Sequence, residues 1–311
     1  MNNYRIAAVV VTYNRKEQLL DCLNAIALQT FKPAKVFIID NASSDGTEET
    51  VAEHGYNNQL VRDIQFVYVR LKENVGGAGG FCAGIKMAYE DETNFDAVWV
   101  MDDDGVPDSD QLKYLAYYLG SYDYIAPLVI ALENTENLSF PYKGISKVED
   151  LRQAYSGYEL VKEYACPFNG ILYSRRLIER IGYPIPGLFI WGDEENYHFR
   201  ALKAGFHPVT VLRALHRHPA SKNVMVQSVG NRQIVFVPQK WKAYCHYRNR
   251  IFNMRLIHHT SVLSYIKVYL IHIYFFLFEK KSLSWFWCYN DAFFSGIMGR
   301  LDGHKKYMNS K

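Results

Sequence analysis

The chain has 311 residues, 49% hydrophobic and 22% charged, with a formal net charge of +3. That length and balance fit one large globular domain, or one and a half, rather than a disordered chain. Five scattered cysteines (Cys22, Cys82, Cys166, Cys245, Cys288) without CxxC spacing argue for a reducing compartment and against a disulfide scaffold or structural zinc.

In chain order, Asn2 to Arg5 is polar and the apolar run after it is too short for a signal peptide, so no secretory leader is expected. Arg5–Tyr13 is a continuous β-branched run, the pattern of a strand covered on both faces. Leu19, Leu20, Leu23, Ile26 and Ala27 then repeat at helical spacing. Lys35–Asp40 reads as a second strand, Asn41–Thr47 as a turn rich in helix-capping residues, and Thr47–Glu53 as a helix. Ile64–Arg70 is a third strand. Asn74–Phe81 (NVGGAGGF) reads as a Gly-rich loop feeding a helix over Cys82–Glu90. It is neither GxGxxG nor a P-loop, yet glycines before a helix suit close approach to a diphosphate.

Ala97–Met101 is a fourth strand, and it ends in three consecutive carboxylates, Asp102, Asp103 and Asp104. Adjacent like charges repel unless solvated or neutralised. A solvated acidic turn is one reading. The other is a site for a hard divalent cation, Mn²⁺ or Mg²⁺, shared by Asp102 and Asp104, which alternation puts on one side of an extended chain with Asp103 on the other. Strands alternating with helices through residue 105 predict a doubly wound, mostly parallel α/β sheet, in which ligands bind beyond the carboxyl ends of the strands.

Tyr124–Ile130 reads as a strand, Ala131–Tyr155 as loop with a short helix, Phe168–Ser174 as a strand and Arg175–Ile181 as a helix. Leu188–Arg200 (LFIWGDEENYHFR) sets Asp193, Glu194 and Glu195 where a helix should begin, which suits the helix dipole. Pro208–Leu212 is strand-like and leads to His216 and His218, metal-ligand candidates beside an acidic cluster. From Lys240 to Lys311, 12 Lys and Arg stand against 3 Asp and Glu, a net of +9, while the preceding residues carry 23 against 29, a net of −6. This basic tail is also aromatic, with an apolar run over Ser261–Phe278 interrupted by Lys267 and His272, then Trp285, Phe286 and Trp287. No apolar stretch is expected to span a bilayer. The tail reads either as core helices or as an amphipathic surface on a membrane. The acidic body argues against nucleic acid.

In order, VVVTYNR (Val9–Arg15), IIDNASSDGT (Ile38–Thr47), NVGGAGGF, WVMDDDG (Trp99–Gly105) and FIWGDEENYHFRALKAGF (Phe189–Phe206) resemble the family 2 inverting glycosyltransferases with the GT-A fold. The likeness covers residues 5–220 and is greatest to the galactofuranosyl- and rhamnosyltransferase branch, which builds bacterial cell-surface polysaccharides. The resemblance implies that Thr12, Arg15, Asp40, Asn74, Gly76, Gly77, Asp102 and Asp103 bind the donor nucleotide. It implies that Asp102, Asp104 and His216 hold the metal, with His218 as the substitute. The general base falls on Glu194, where the family has Asp, so Asp193 stays a candidate. The implied donor is a UDP-sugar, UDP-galactofuranose before dTDP-rhamnose, and the implied acceptor a glycan or lipid-linked glycan at the cytoplasmic face of a membrane, with a homodimer allowed.

A nucleotidyltransferase would share the sheet and carboxylates, but it needs a Gly-rich basic loop after the first strand, where this chain has TYNR. A non-catalytic glycan-binding scaffold has no need of the acidic constellation. The expected organisation is a GT-A domain over 1–225, split into a nucleotide-binding half (1–105) and an acceptor half (106–225), with a helical, basic and aromatic extension over 226–311.

Overall fold

The computed structural model describes residues 4–220, 225–228, 232–257 and 260–308. The chain forms two compact units, Met1–Pro184 with Arg200–Ser221, and Ile185–Phe199 with Lys222–Lys311.

The first unit is built on one mixed sheet. Strands Ala97–Asp102, Ile6–Thr12, Lys35–Asp40 and Ile64–Arg70 lie side by side and parallel. Asn169–Ser174 joins antiparallel on Ala97–Asp102, and Tyr124–Ala131 and Val209–His218 continue the sheet beyond it. All of Ile6–Thr12 is buried, as a run without alternation requires. Ile6, Ala8 and Val10 share a core with Leu19, Leu23 and Ile26 of helix Lys16–Ala27. The alternate residues Val9 and Val11 meet the other layer, helix Gly76–Glu90.

That second helix starts six residues before the expected Cys82. The glycine run is therefore mostly helix, and the reason is packing. A Cβ on Gly80 would stand 2.5 Å from Val11 Cγ1, and one on Gly84 2.4 Å from Val9 Cγ1. Glycines one turn apart let the helix backbone lie against the first strand.

Other differences are local. Part of the expected loop over Ala131–Tyr155 is a hairpin of Asn137–Tyr142 with Ile145–Lys147, then helix Val148–Ala154. The strand expected to stop at Leu212 runs through His218, after an irregularity between Val211 and Leu215.

The second unit holds helices Lys240–Met254, Val262–Tyr274 and Leu283–Met298, with a hairpin of Met225–Ser228 and Arg232–Val235. Its core absorbs the chain's aromatic excess: Tyr244, Tyr247, Phe276 and Tyr289 are all buried, and the rings of Tyr247 and Tyr289 lie 5.3 Å apart, edge to face. Segment 185–199, expected in the acceptor half, belongs to this unit. Helix Val262–Tyr274 continues into a π-helical turn, Phe275–Glu279. The continuous stretch Val262–Glu279 has 18 residues, a mean hydropathy of 1.5 and 17% of its residues buried. By length and composition it meets the lower bound for crossing a bilayer, which corrects the expectation that none would.

Candidate active site

Strand register gathers the polar ends of the first unit. Val11 pairs with Asp102, and Thr12 pairs with Asp40, so three strands deliver Thr12, Asp40 and the Asp triplet to one edge. Just past the triplet, Val106 and Pro107 pair antiparallel with Arg217 and His216, which brings the end of the long strand alongside.

The three carboxylates have different surroundings. Asp103 is 3% exposed, accepts from the Thr12 hydroxyl at 2.7 Å and from Arg15 at 3.2 Å. Burial lifts its pKa to about 6. Asp104 accepts from the same Arg15 Nη1 at 2.6 Å. Burial would raise its pKa, but His218 and Arg15 outweigh that and hold it below the usual value. Asp102, desolvated and beside both neighbours, has its pKa pushed well up. Such a carboxylate favours protonation unless a cation takes the proton's place.

Asp102, Asp104 and His218 bring one ligand atom each to within 4.8 Å of one another. His218 Nε2 lies 3.3 Å from Asp104 Oδ1, and its Nδ1 lies 2.7 Å from the Pro219 carbonyl. A carbonyl only accepts, so Nδ1 carries a proton and Nε2 is the nitrogen turned towards the carboxylates, the orientation that second-shell bonds give to metal-bound imidazoles. Two carboxylate oxygens and an imidazole suit Mn²⁺ or Mg²⁺.

His216, the first choice from the sequence, lies outside this cluster, and His218, the substitute, lies within it. The His216 ring is fully buried, with Nδ1 3.1 Å from Gln111 Oε1. It packs flush on backbone: a Cβ on Gly105 would stand 2.3 Å from its Nε2, and one on Gly170 2.5 Å from its Nδ1. Burial lowers its pKa to about 3, so it stays neutral as a floor beneath the site.

Among the expected donor contacts, Asp40 is fully buried. It accepts from the Ser43 amide and hydroxyl at 2.9 and 2.5 Å and from the Tyr68 hydroxyl at 2.5 Å, which shapes the turn after the second strand. Thr12 and Asp103 spend their side chains on each other and on Arg15. Thr12, Asp40 and Asp103 are thus each held by protein partners at the edge where the sequence expects the nucleotide. Asn74 Oδ1 accepts from the Gly76 amide at 2.8 Å and folds the chain into the helix start, where Gly77 alone of that run faces open space.

In the second unit, Asp193 and Glu194 open helix Asp193–Lys203. Asp193 is 5% exposed, whereas Glu194 is half-buried and takes the Gly192 amide on Oε2 at 2.9 Å. Sequence reasoning missed Arg248, Asn249 and Asn253, which hold the approach to these acids. Their signal was three polar residues at helical positions that the core would otherwise claim, and each is at most 1% exposed.

A mostly parallel sheet whose strand ends gather two carboxylates and a histidine has the arrangement of a GT-A glycosyltransferase. Residues 7–182 match the model of Glycosyl transferase family 2, and the chain belongs to that family. It is 30% identical over 255 residues to galactofuranosyltransferase GlfT1 of Mycolicibacterium smegmatis, which covers 79% of this chain and 81% of the relative. The GlfT1 protein of Mycobacterium tuberculosis is also 30% identical, over 253 residues that cover 79% of this chain and 80% of the relative. The fold is shared with S. aureus TarS 1-349, with a TM-score of 0.58 and 14% identity, covering 96% of this chain and 83% of that one. TarS 1-349 has also been solved in complex with UDP, and that structure aligns with a TM-score of 0.53 and 15% identity over 89% of this chain and 73% of that one.

Proposed function

We propose that this glycosyltransferase is metal-dependent and inverting, and moves galactofuranose from UDP-galactofuranose to a glycan or lipid-linked acceptor in bacterial cell-surface polysaccharide synthesis. The observation that carries the reading is the Asp102, Asp104 and His218 cluster at the strand ends, in a chain with galactofuranosyltransferase relatives at 30% identity. Asp102, Asp104 and His218 would hold the divalent cation, which would supply positive charge against the departing diphosphate. Arg15, Asn74, Gly76 and Gly77 border the donor, and Thr12, Asp40 and Asp103 brace that edge from behind. Glu194 accepts the proton of the acceptor hydroxyl. The acceptor oxygen then bonds to the anomeric carbon as the bond to the diphosphate oxygen breaks, so one displacement inverts the centre and releases the nucleoside diphosphate.

The acceptor is read as lying at the cytoplasmic face of an anionic membrane, with the second unit attached there peripherally. In support, Leu263, Ile266, Leu270, Tyr274 and Phe278 follow helical spacing and are 75%, 47%, 57%, 43% and 61% exposed. Leu283, Trp287, Phe294 and Met298 are exposed on the next helix, and Lys267, Lys280 and Lys281 are exposed along the same segment. Exposed apolar area on this scale marks an interaction surface, and the surplus of positive charge repels a second copy while it attracts anionic headgroups.

Donor turnover tests the reaction. With Mn²⁺ and a galactoside acceptor, UDP-galactofuranose should be consumed and EDTA should stop it. Consumption of dTDP-rhamnose instead makes the chain a rhamnosyltransferase, and inertness towards both overturns the proposal.

A further inference from the structure

The loop that leads into Asp193 and Glu194 has an unusual backbone. Phe189, Trp191 and Gly192 all sit in the left-handed region, at φ +67°, +58° and +87°. Non-glycine residues there carry strain that persists only where surroundings hold it. Backbone donors serve this segment only in part, Ile190 N–H reaching the Leu188 carbonyl at 2.8 Å and Asn196 N–H the Gly192 carbonyl at 3.0 Å, and side chains supply the rest.

Helix Lys240–Met254 provides them from one buried face. The Asn249 side-chain NH2 shares its two N–H groups among three carbonyls of the loop, those of Leu188 (2.8 Å), Ile190 (3.1 Å) and Trp191 (2.6 Å). Asn253, one helical turn on, donates to the Gly192 carbonyl at 2.7 Å. Arg248 donates to Gly187 and Leu188 at 3.1 and 2.8 Å, and to Leu301 at 2.5 Å. Neither amide is free to flip. Arg248 Nε donates to Asn249 Oδ1 at 2.8 Å, and Asn196 donates to Asn253 Oδ1 at 2.9 Å. Gly192 lies so close that a Cβ there would meet Asn249 Cβ at 3.1 Å and Asn253 Nδ2 at 3.3 Å.

We infer that Asn249 is a positioning residue for the reaction, with Asn253 as its second point of hold: together they fix the strained backbone of residues 188–192 and so fix where the Asp193–Glu194 pair stands. The role rests on the reading of that pair as the source of the general base. The geometry excludes a purely space-filling explanation. A packing residue needs shape alone, whereas here one amide group serves three carbonyls and its own oxygen is locked by a buried guanidinium. Misplacing a catalytic group by about 1 Å is enough to cost on the order of a hundredfold in rate.

The test uses the full chain with Asn249→Leu, Asn253→Leu and the milder Asn249→Gln. Hydrogen exchange by mass spectrometry is read over residues 187–195, and kcat is read beside the affinity for UDP with Mn²⁺. Asn249→Leu should speed exchange in that window at least tenfold and lower kcat at least tenfold, with UDP affinity within twofold of wild type and Asn249→Gln recovering part of kcat. Should Asn249→Leu fail to fold, Asn253→Leu carries the same expectation at smaller size. Unchanged exchange and kcat overturn the inference, as does a loss of UDP affinity in step with kcat, which would mean general damage. Failure of the underlying reading looks different: exchange rises and kcat falls in Asn249→Leu, yet Glu194→Gln and Asp193→Asn both turn over normally.

Discussion

His218 presents Nε2 to Asp104, 3.3 Å away, while its Nδ1 is tied to the carbonyl of Pro219. Burial alone would make this imidazole less basic, but the Asp104 hydrogen bond and the nearby carboxylates keep its pKa above the ordinary value. A divalent cation would displace the proton on Nε2, since metal ligands bind deprotonated. His218→Asn should therefore weaken Mn²⁺ binding at least tenfold, read by titration calorimetry, with little change in melting temperature. His216→Ala should do the reverse: a loss of roughly 2–4 kcal/mol in stability, from a cavity beneath Gly105 and Gly170, measured by denaturant unfolding. Equal effects of the two on Mn²⁺ affinity would return His216 to the ligand set.

Glu194→Gln preserves shape and can still accept from the Gly192 amide, but cannot take a proton. Its kcat should fall by roughly 10²–10⁴ with nucleotide affinity unchanged. If Asp193→Asn is the crippling change and Glu194→Gln the mild one, the base is Asp193, despite its 5% exposure.

The glycines of the helix Gly76–Glu90 should separate by role. Gly84→Ala forces a methyl into Val9 and should cost about 1–3 kcal/mol in stability. Gly77→Ala meets nothing within 4 Å and should leave stability near wild type while weakening UDP binding. A Gly77→Ala protein that binds UDP as well as wild type does removes Gly77 from the donor site.

Acid should loosen the second unit. Burial, aided by Arg250 for His246 and by Arg248 for His304, lowers both imidazoles to about 4. The unfolded chain takes up these protons near its ordinary value, about 6.5. Between the two, the unfolded state binds more protons than the native one, so stability is full above about pH 6.5 and declines as pH falls towards 4. Calorimetric melting from pH 7.5 to 4.5 should show the decline, and His304→Asn should flatten it. A melting temperature that rises through that window contradicts this account.

Vesicle sedimentation tests the apolar helices. Full-length protein should pellet with anionic vesicles, less so in high salt, because headgroup attraction is screened and apolar burial is not. Leu270→Gln with Phe278→Gln should lower the bound fraction and leave turnover of a soluble acceptor intact. Equal binding to neutral and anionic vesicles overturns the charge argument.

Much of the first unit was readable from pattern alone. Lys35–Asp40, Ile64–Arg70 and Arg175–Ile181 fall at the expected bounds because continuous β-branched runs and a Ser N-cap are local signals. Asp102 and Asp104 were legible for the same reason, since alternation at a strand end is a local property. The choice between His216 and His218 was not. Two residues apart on a strand, they share a face, and only tertiary contacts separate them: His216 packs against Gln111 and two glycines while His218 meets Asp104. The glycine run misled because glycines that admit a phosphate and glycines that admit a valine look alike in sequence. Arg248, Asn249 and Asn253 lie about 60 residues from the carbonyls they hold, and no local pattern encodes a partner that distant.

The reach of Arg248 to Leu301 has a consequence for how the protein comes into being. The guanidinium gathers Gly187, Leu188 and Leu301 on one buried cation, so the side chain that holds the acid-bearing loop is itself held by a residue more than 50 positions further along the chain. A nascent or clipped chain that ends before Leu301 would already own the carboxylates of the first sheet while its acid pair stood on an unfinished support.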